Sequence, residues 1–138
     1  MLWLAIVYGA LVTYGTLFPL SEWAPPLQGW SNPITLPWPA HASRADIMVN
    51  LLAYVPLGLF ITLGVRARFG MVAAVLLAAL LGSGLSYMLE LLQSALPSRV
   101  PSSLDWAANS AGTLGGSLFA ALFDPRLPTG RLILNLRH

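Results

Sequence analysis

The chain contains no cysteine and no lysine, and only 9% of its residues carry charge. Without cysteine there can be no disulfide and no thiolate metal site, and nothing follows about redox compartment. The positive charge comes from seven arginines scattered along 138 residues, so there is no basic patch on which a nucleic acid could lie. Imidazole is equally scarce. His41 and His138 are too far apart in sequence to be ligands at metal-binding spacing, and no G-x-S-x-G or H-E-x-x-H motif occurs.

In place of charge the chain has hydrocarbon. Hydrophobic residues make up 57%, and the mean hydropathy is +0.72, more apolar surface than a soluble domain of this size can bury. The expected class is an all-α, polytopic integral membrane protein, a single domain over 1–138 with no cofactor. Four apolar runs approach the ~20 residues needed to cross ~30 Å of hydrocarbon. They are Leu2 to Leu20, Asp46 to Gly64, Phe69 to Leu92, and Leu104 to Phe123. The first lacks a basic leader and is read as a permanent span rather than a signal peptide.

The segment SEWAPPLQGWSNPITLPWPAHASR, between the first two runs, holds five prolines and three tryptophans, which argues for an interfacial loop and against a helix. Arg66 and Arg68 should lie in a short turn between the second and third runs. With Arg126, Arg131 and Arg137 in the tail they would share one side of the membrane, with an Asp124–Arg126 pair beside them. Arg44 and Arg99 fall on the other side. The positive-inside rule then sets both termini in the cytoplasm and the Trp-rich loop outside. Trp23, Trp30, Trp38 and Trp106 are expected to form an interfacial aromatic belt, or to stack on a sugar or headgroup.

Polar residues gather in MLELLQSALPSRVPSSLDWAANSAG, from Met88 to Gly112. At ~1.5 Å per residue, Glu90 lies ~33 Å along its helix from Arg68, Asp46 ~27 Å from Gly64, and Asp105 ~31 Å from Arg126. Three carboxylates distant in sequence are thus expected at one depth near the outer face. Helical spacing aligns Ser83, Ser86, Glu90 and Gln93 on one stripe. It aligns Asp105, Asn109, Gly112 and Gly116 on a second, and Asp46, Asn50 and Ala53 on a third. Unsatisfied polar groups are costly in lipid, so these stripes should face one another, and the small residues permit close helix approach.

SRADIMVN from Ser43 and SSLDWAAN from Ser102 both read S-x-x-D-x-x-x-N, which suggests a duplicated hairpin. A plain capping role also accounts for Ser43, Asp46, Ser102 and Asp105, and interhelical hydrogen bonding for Asn50 and Asn109. Glu90, near a helix C-terminus, opposes the macrodipole and calls for a partner, for which Arg99 is the candidate. That pair would either close the hairpin or stand over an outward-facing pocket.

Asp46-x3-Asn50, Pro56-x-Gly58, Glu90-x2-Gln93, Arg99, and Ser102-x2-Asp105-x3-Asn109 with Gly112 and Gly116 together resemble the VanZ-like membrane proteins, over roughly residues 44 to 120. The family takes its name from a teicoplanin resistance protein. The resemblance implies a small multi-pass protein of the bacterial cytoplasmic membrane and supplies no reaction. The first expectation is a non-catalytic envelope protein whose Asp46, Asn50, Glu90, Gln93, Arg99, Asp105 and Asn109 bind an outer-leaflet ligand, such as a lipid-linked cell-wall precursor or a glycopeptide. The second is an enzyme acting on a lipid phosphate or ester, with Glu90, Asp46 and Asp105 as acid, base or oxygen ligands of a divalent cation. The third is a headgroup translocator with a path between protomers of a homo-oligomer.

Overall fold

A computed structural model of the chain describes residues 1–26 and 29–124. Arg126, Arg131, Arg137 and His138, and with them the expected Asp124–Arg126 pair, lie outside the described residues. Four helices and no strand occur among the described residues: α1 (Leu2–Leu17), α2 (Arg44–Phe69), α3 (Met71–Gln93) and α4 (Ser103–Leu122). α2 and α3 are long and apolar enough to cross a membrane. Large apolar side chains on all four helices point outward, among them Ile6, Leu52, Leu76 and Phe119, a surface that water would not tolerate over so wide an area.

Helix ends follow from local chemistry. α1 stops three residues short of the expected Leu20, because Pro19 disfavours helical geometry in the residue before it, and Phe18 is extended with ψ 137°. α2 and α4 both begin on serine N-caps. The Ser43 hydroxyl accepts from the Asp46 N–H at 3.5 Å and the Ser102 hydroxyl from the Asp105 N–H at 3.2 Å. α2 runs five residues past the expected Gly64, because nothing breaks it before Gly70, whose φ of 80° suits glycine. Arg66 and Arg68 therefore belong to the last turn of α2 rather than to a loop. Asp124 meets Arg66 at 3.8 Å, on the side of the bundle where α3 begins.

Packing fixes an up-down-up-down order. Tyr8 donates to the Ala53 carbonyl at 2.9 Å, and Leu2 packs on Gly64, so α1 and α2 are antiparallel. Ser83 meets Ser110, and Ser86 meets Asn109, so α3 and α4 are antiparallel too. α2 and α4 run parallel and touch backbone to backbone. A Cβ at Gly112 would collide with the Leu51 carbonyl, and one at Gly116 with the Val55 carbonyl. Gly58 makes the reciprocal approach to the Thr113 carbonyl.

The segment between α1 and α2 forms no helix among its described residues, as its prolines predict. It is tied to the α3–α4 turn. The Ala24 N–H donates to the Ala95 carbonyl at 3.0 Å, the Ser31 N–H to the Ser94 hydroxyl at 3.1 Å, and the Ser103 hydroxyl to the Pro37 carbonyl at 3.3 Å. The loop thus lies over the end of the bundle where α2 and α4 start.

Candidate functional site

The site grows from the way α4 starts. In a capping box the carboxylate three residues into the helix reaches back to the N-cap N–H. Here the Ser102 N–H donates instead to Glu90 Oε2 of α3, at 2.8 Å. Glu90 is 2% exposed, so this bond is shielded from water. Asp105, relieved of that role, lies within hydrogen-bonding reach of the Asn50 amide across the α2–α4 interface and of the Ser102 hydroxyl, with the Asp46 carboxylate nearby.

One turn deeper, α3 and α4 share a polar seam. Asn109 Nδ2 donates to Ser86 Oγ at 3.0 Å, and the Ser83 and Ser110 hydroxyls meet at 2.9 Å. The expected stripes do face one another, and Asn109 is interhelical glue through its nitrogen. Its Oδ1 finds no hydrogen-bond partner among the described residues, although Asn109 is only 4% exposed. The Tyr54 hydroxyl lies within reach of Ser86 Oγ, which already accepts from Asn109, and near Glu90, and it makes no hydrogen bond of good geometry among the described residues. Tyr54 is 2% exposed. A buried donor or acceptor left unmet costs ~1–3 kcal/mol, so two in one place call for an explanation.

Both residues line a cavity of about 580 Å³. Asp46, Asn50, Glu90, Gln93, Arg99, Asp105 and Asn109 all contribute to its wall, so the structure brings every sequence-expected site residue to one space. α1 supplies the opposite wall with Tyr8, Leu11, Val12 and Thr16. Sequence reading missed Tyr54 and this aromatic and apolar wall. The signal for Tyr54 was present: Asp46, Asn50 and Tyr54 follow at intervals of four on one face of α2. Asp46, Glu90 and Asp105 share the cavity, but no group of three acidic or imidazole side chains among the described residues is close enough to hold a metal ion.

The expected Glu90–Arg99 pair does not form. Arg99 Nη2 donates to the Phe18 carbonyl at 3.0 Å and to the Gly15 carbonyl at 3.4 Å. Those carbonyls belong to the end of α1, where the last helical oxygens have no partner of their own and attract a cation. Glu90 meanwhile is served by the backbone of α4. Arg99 thus clasps α1 to the α3–α4 turn, and it also borders a second cavity of about 590 Å³ lined by Pro25, Pro26, Leu96, Pro97 and Pro101. Removing the clasp with Arg99→Ala should speed amide exchange at Gly15 to Phe18 about fivefold, for a loss on the order of 1 kcal/mol. Unchanged exchange there would show that α1 is held without the clasp, by its apolar face and the Tyr8–Ala53 bond.

The tryptophans divide. Trp30 and Trp38 are exposed, and Trp23, also exposed, donates to the Leu20 carbonyl at 3.1 Å. Trp106 leaves the expected belt, since its indole N–H donates to the Ser83 carbonyl at 3.2 Å in the α3–α4 seam.

No curated protein and no solved structure matches the chain. The VanZ/LLP1 family model matches residues 5–124, which takes in α2, α3, α4, all of α1 but its first three residues, and every residue of the polar cavity. With that match, and two helices of spanning length and apolarity, the chain is a membrane protein and belongs to the VanZ/LLP1 family.

Proposed function

We propose that the chain is a four-span protein of the bacterial cytoplasmic membrane, with both termini inside and the cavity toward the outer face, and that it binds the polar part of an outer-leaflet amphiphile. The carrying observation is the pair of buried, unmet groups, Asn109 Oδ1 and the Tyr54 hydroxyl, in a cavity already lined by three carboxylates and a guanidinium. A ligand with hydrogen-bonding groups would satisfy both. Tyr54 lies two helical turns, ~12 Å, below Asp46 along α2, a depth that belongs to hydrocarbon rather than to water.

The mouth supports an amphiphile over a free solute. Leu11 of α1 and Val49 of α2 line the cavity yet are 61% and 66% exposed, so they form an apolar rim facing sideways between these helices. A polar head can enter there while its tail stays in the bilayer. The ligands of this kind at the outer leaflet are phospholipids, lipid-linked cell-wall precursors and lipid-tailed glycopeptides. A contribution to teicoplanin tolerance would act through the same site, by withholding or shielding such a molecule.

Native mass spectrometry of the purified protein tests this reading. Wild type should retain one lipid class, and Asn50→Ala should lose it while still folding and melting within a few degrees of wild type. Asn50 is chosen over Arg99 because Arg99 also anchors α1. No retained amphiphile in wild type, under conditions that keep it folded, would sink the proposal.

A further inference from the structure

Of the chemistry the cavity could accept, its own charges and vacant hydrogen bonds select one class. Asp46, Glu90 and Asp105 line it from three helices, against a single guanidinium, that of Arg99. Arg99 is moreover partly occupied, since its Nη2 is committed to the Phe18 and Gly15 carbonyls. Acidic groups thus outnumber basic ones around the cavity, an arrangement that disfavours an anionic headgroup.

The unmet buried groups sharpen the choice. Asn109 Oδ1 can only accept, and it has no partner among the described residues, while one of the two N–H groups of its amide goes to Ser86. Asp105 presents carboxylate oxygens to the same space, with its cap role taken by Glu90. Asn109 Oδ1 lacks a donor and Asp105, though within reach of the Asn50 amide and the Ser102 hydroxyl, lacks a cation. A sugar hydroxyl gives the donor without the charge. A choline head gives the charge without the donor. A primary ammonium gives both, with three N–H groups and a charge that strengthens each bond.

We infer that the polar cavity binds the primary ammonium group of a lipid-tailed amine, held by Asp105 and Asp46 with Asn109 Oδ1 beneath, its tail leaving between Leu11 and Val49. This deepens the proposed amphiphile binding and rests on it. The shared chemistry has two sources, an ethanolamine phospholipid or an amine-bearing amphiphile without phosphate, and in the first case the remaining N–H groups of Arg99 are the anchor for the phosphate.

The test is competition among phosphatidylethanolamine, phosphatidylcholine and phosphatidylglycerol of identical acyl chains, read by native mass spectrometry of the full chain in detergent. Octadecylamine forms a fourth arm. Phosphatidylethanolamine should bind roughly tenfold better than either of the other two phospholipids, a difference of about 1.4 kcal/mol. Asp105→Asn should reduce that preference to about twofold, and Asp46→Asn provides a second, surface-exposed variant should the first fold poorly. Octadecylamine binding as tightly as phosphatidylethanolamine assigns recognition to the amine alone; weaker binding assigns part of it to phosphate. Equal binding of all three phospholipids overturns the ammonium inference and leaves amphiphile binding standing. Binding of none overturns both.

Discussion

Gly116→Ala should yield almost no folded protein, while Gly115→Ala, one residue away, should fold as well as wild type. The two glycines differ only in what a methyl group would meet. At Gly116 it would strike the Val55 carbonyl of α2, with the Leu59 nitrogen 3.1 Å away; at Gly115 nothing lies within 4 Å. A clashing side chain can rotate aside, but a backbone carbonyl in a helix is fixed by its own hydrogen bonds. Relief therefore requires α2 and α4 to separate along their whole parallel contact. Overpacking typically costs ~1–3 kcal/mol, and a backbone collision belongs at or above the upper end. At Gly115, alanine gains up to about 1 kcal/mol of helix propensity and loses nothing. Gly112→Ala should behave like Gly116→Ala, because it meets the Leu51 carbonyl in the same way. The measurement is thermal unfolding in detergent, followed by tryptophan fluorescence, together with the monodisperse yield. Equal melting of the Gly115 and Gly116 variants would mean that α2 and α4 do not touch along this line.

That contact also explains what could be read from the sequence. The common level of the carboxyl groups in the bundle was legible because a helix rises by a fixed amount per residue, so counting residues from one end of each apolar run predicts how far along it a carboxylate lies. Asp46, Glu90 and Asp105 do line one space. Facing was legible for the same reason: spacings of three, four and seven put Ser86, Glu90 and Gln93 on one side of α3, and all three are buried. The repeated S-x-x-D-x-x-x-N was legible as two starts, and both serines cap.

Partner choice was not legible. Sequence spacing put Arg99 near Glu90, but whether a guanidinium turns to a carboxylate or to vacant helix carbonyls depends on where α1 ends. Pro19 settled that end three residues earlier than the hydropathy did. Nor could spacing reveal that Glu90 would supplant Asp105 at the Ser102 N–H. The two halves of the echo consequently serve unequally: Asn109 is sealed against Ser86, whereas Asn50 stays half-buried beside Asp105. Trp106 shows the same limit. Its composition class predicts a belt, and its position on the first turn of α4 delivers it to the Ser83 carbonyl.

Glu90 is where structural and ligand-binding roles can be separated by two substitutions. Glu90→Ala removes the acceptor from the Ser102 N–H and opens a void at a site 2% exposed. An orphaned buried N–H costs ~1–3 kcal/mol, and the lost packing adds to it, so a loss of about 3 kcal/mol is expected. Glu90→Gln keeps a carbonyl oxygen in place for the same N–H, so it should cost under about 1 kcal/mol. The glutamine nevertheless removes one of the three carboxyl groups that line the cavity. It should weaken retention of a lipid-tailed amine severalfold in a protein that melts almost as wild type does. If the glutamine variant unfolds as readily as the alanine one, the charge itself secures the start of α4, and the capping account of Glu90 fails. If both variants are stable, the bond to Ser102 contributes little. The same glutamine variant separates binding from catalysis, because an amide cannot exchange a proton as a carboxyl group does. Any lipid-modifying activity found for the chain that survives Glu90→Gln at full rate cannot use Glu90 as its acid or base, and would leave that role to Asp105 or Asp46.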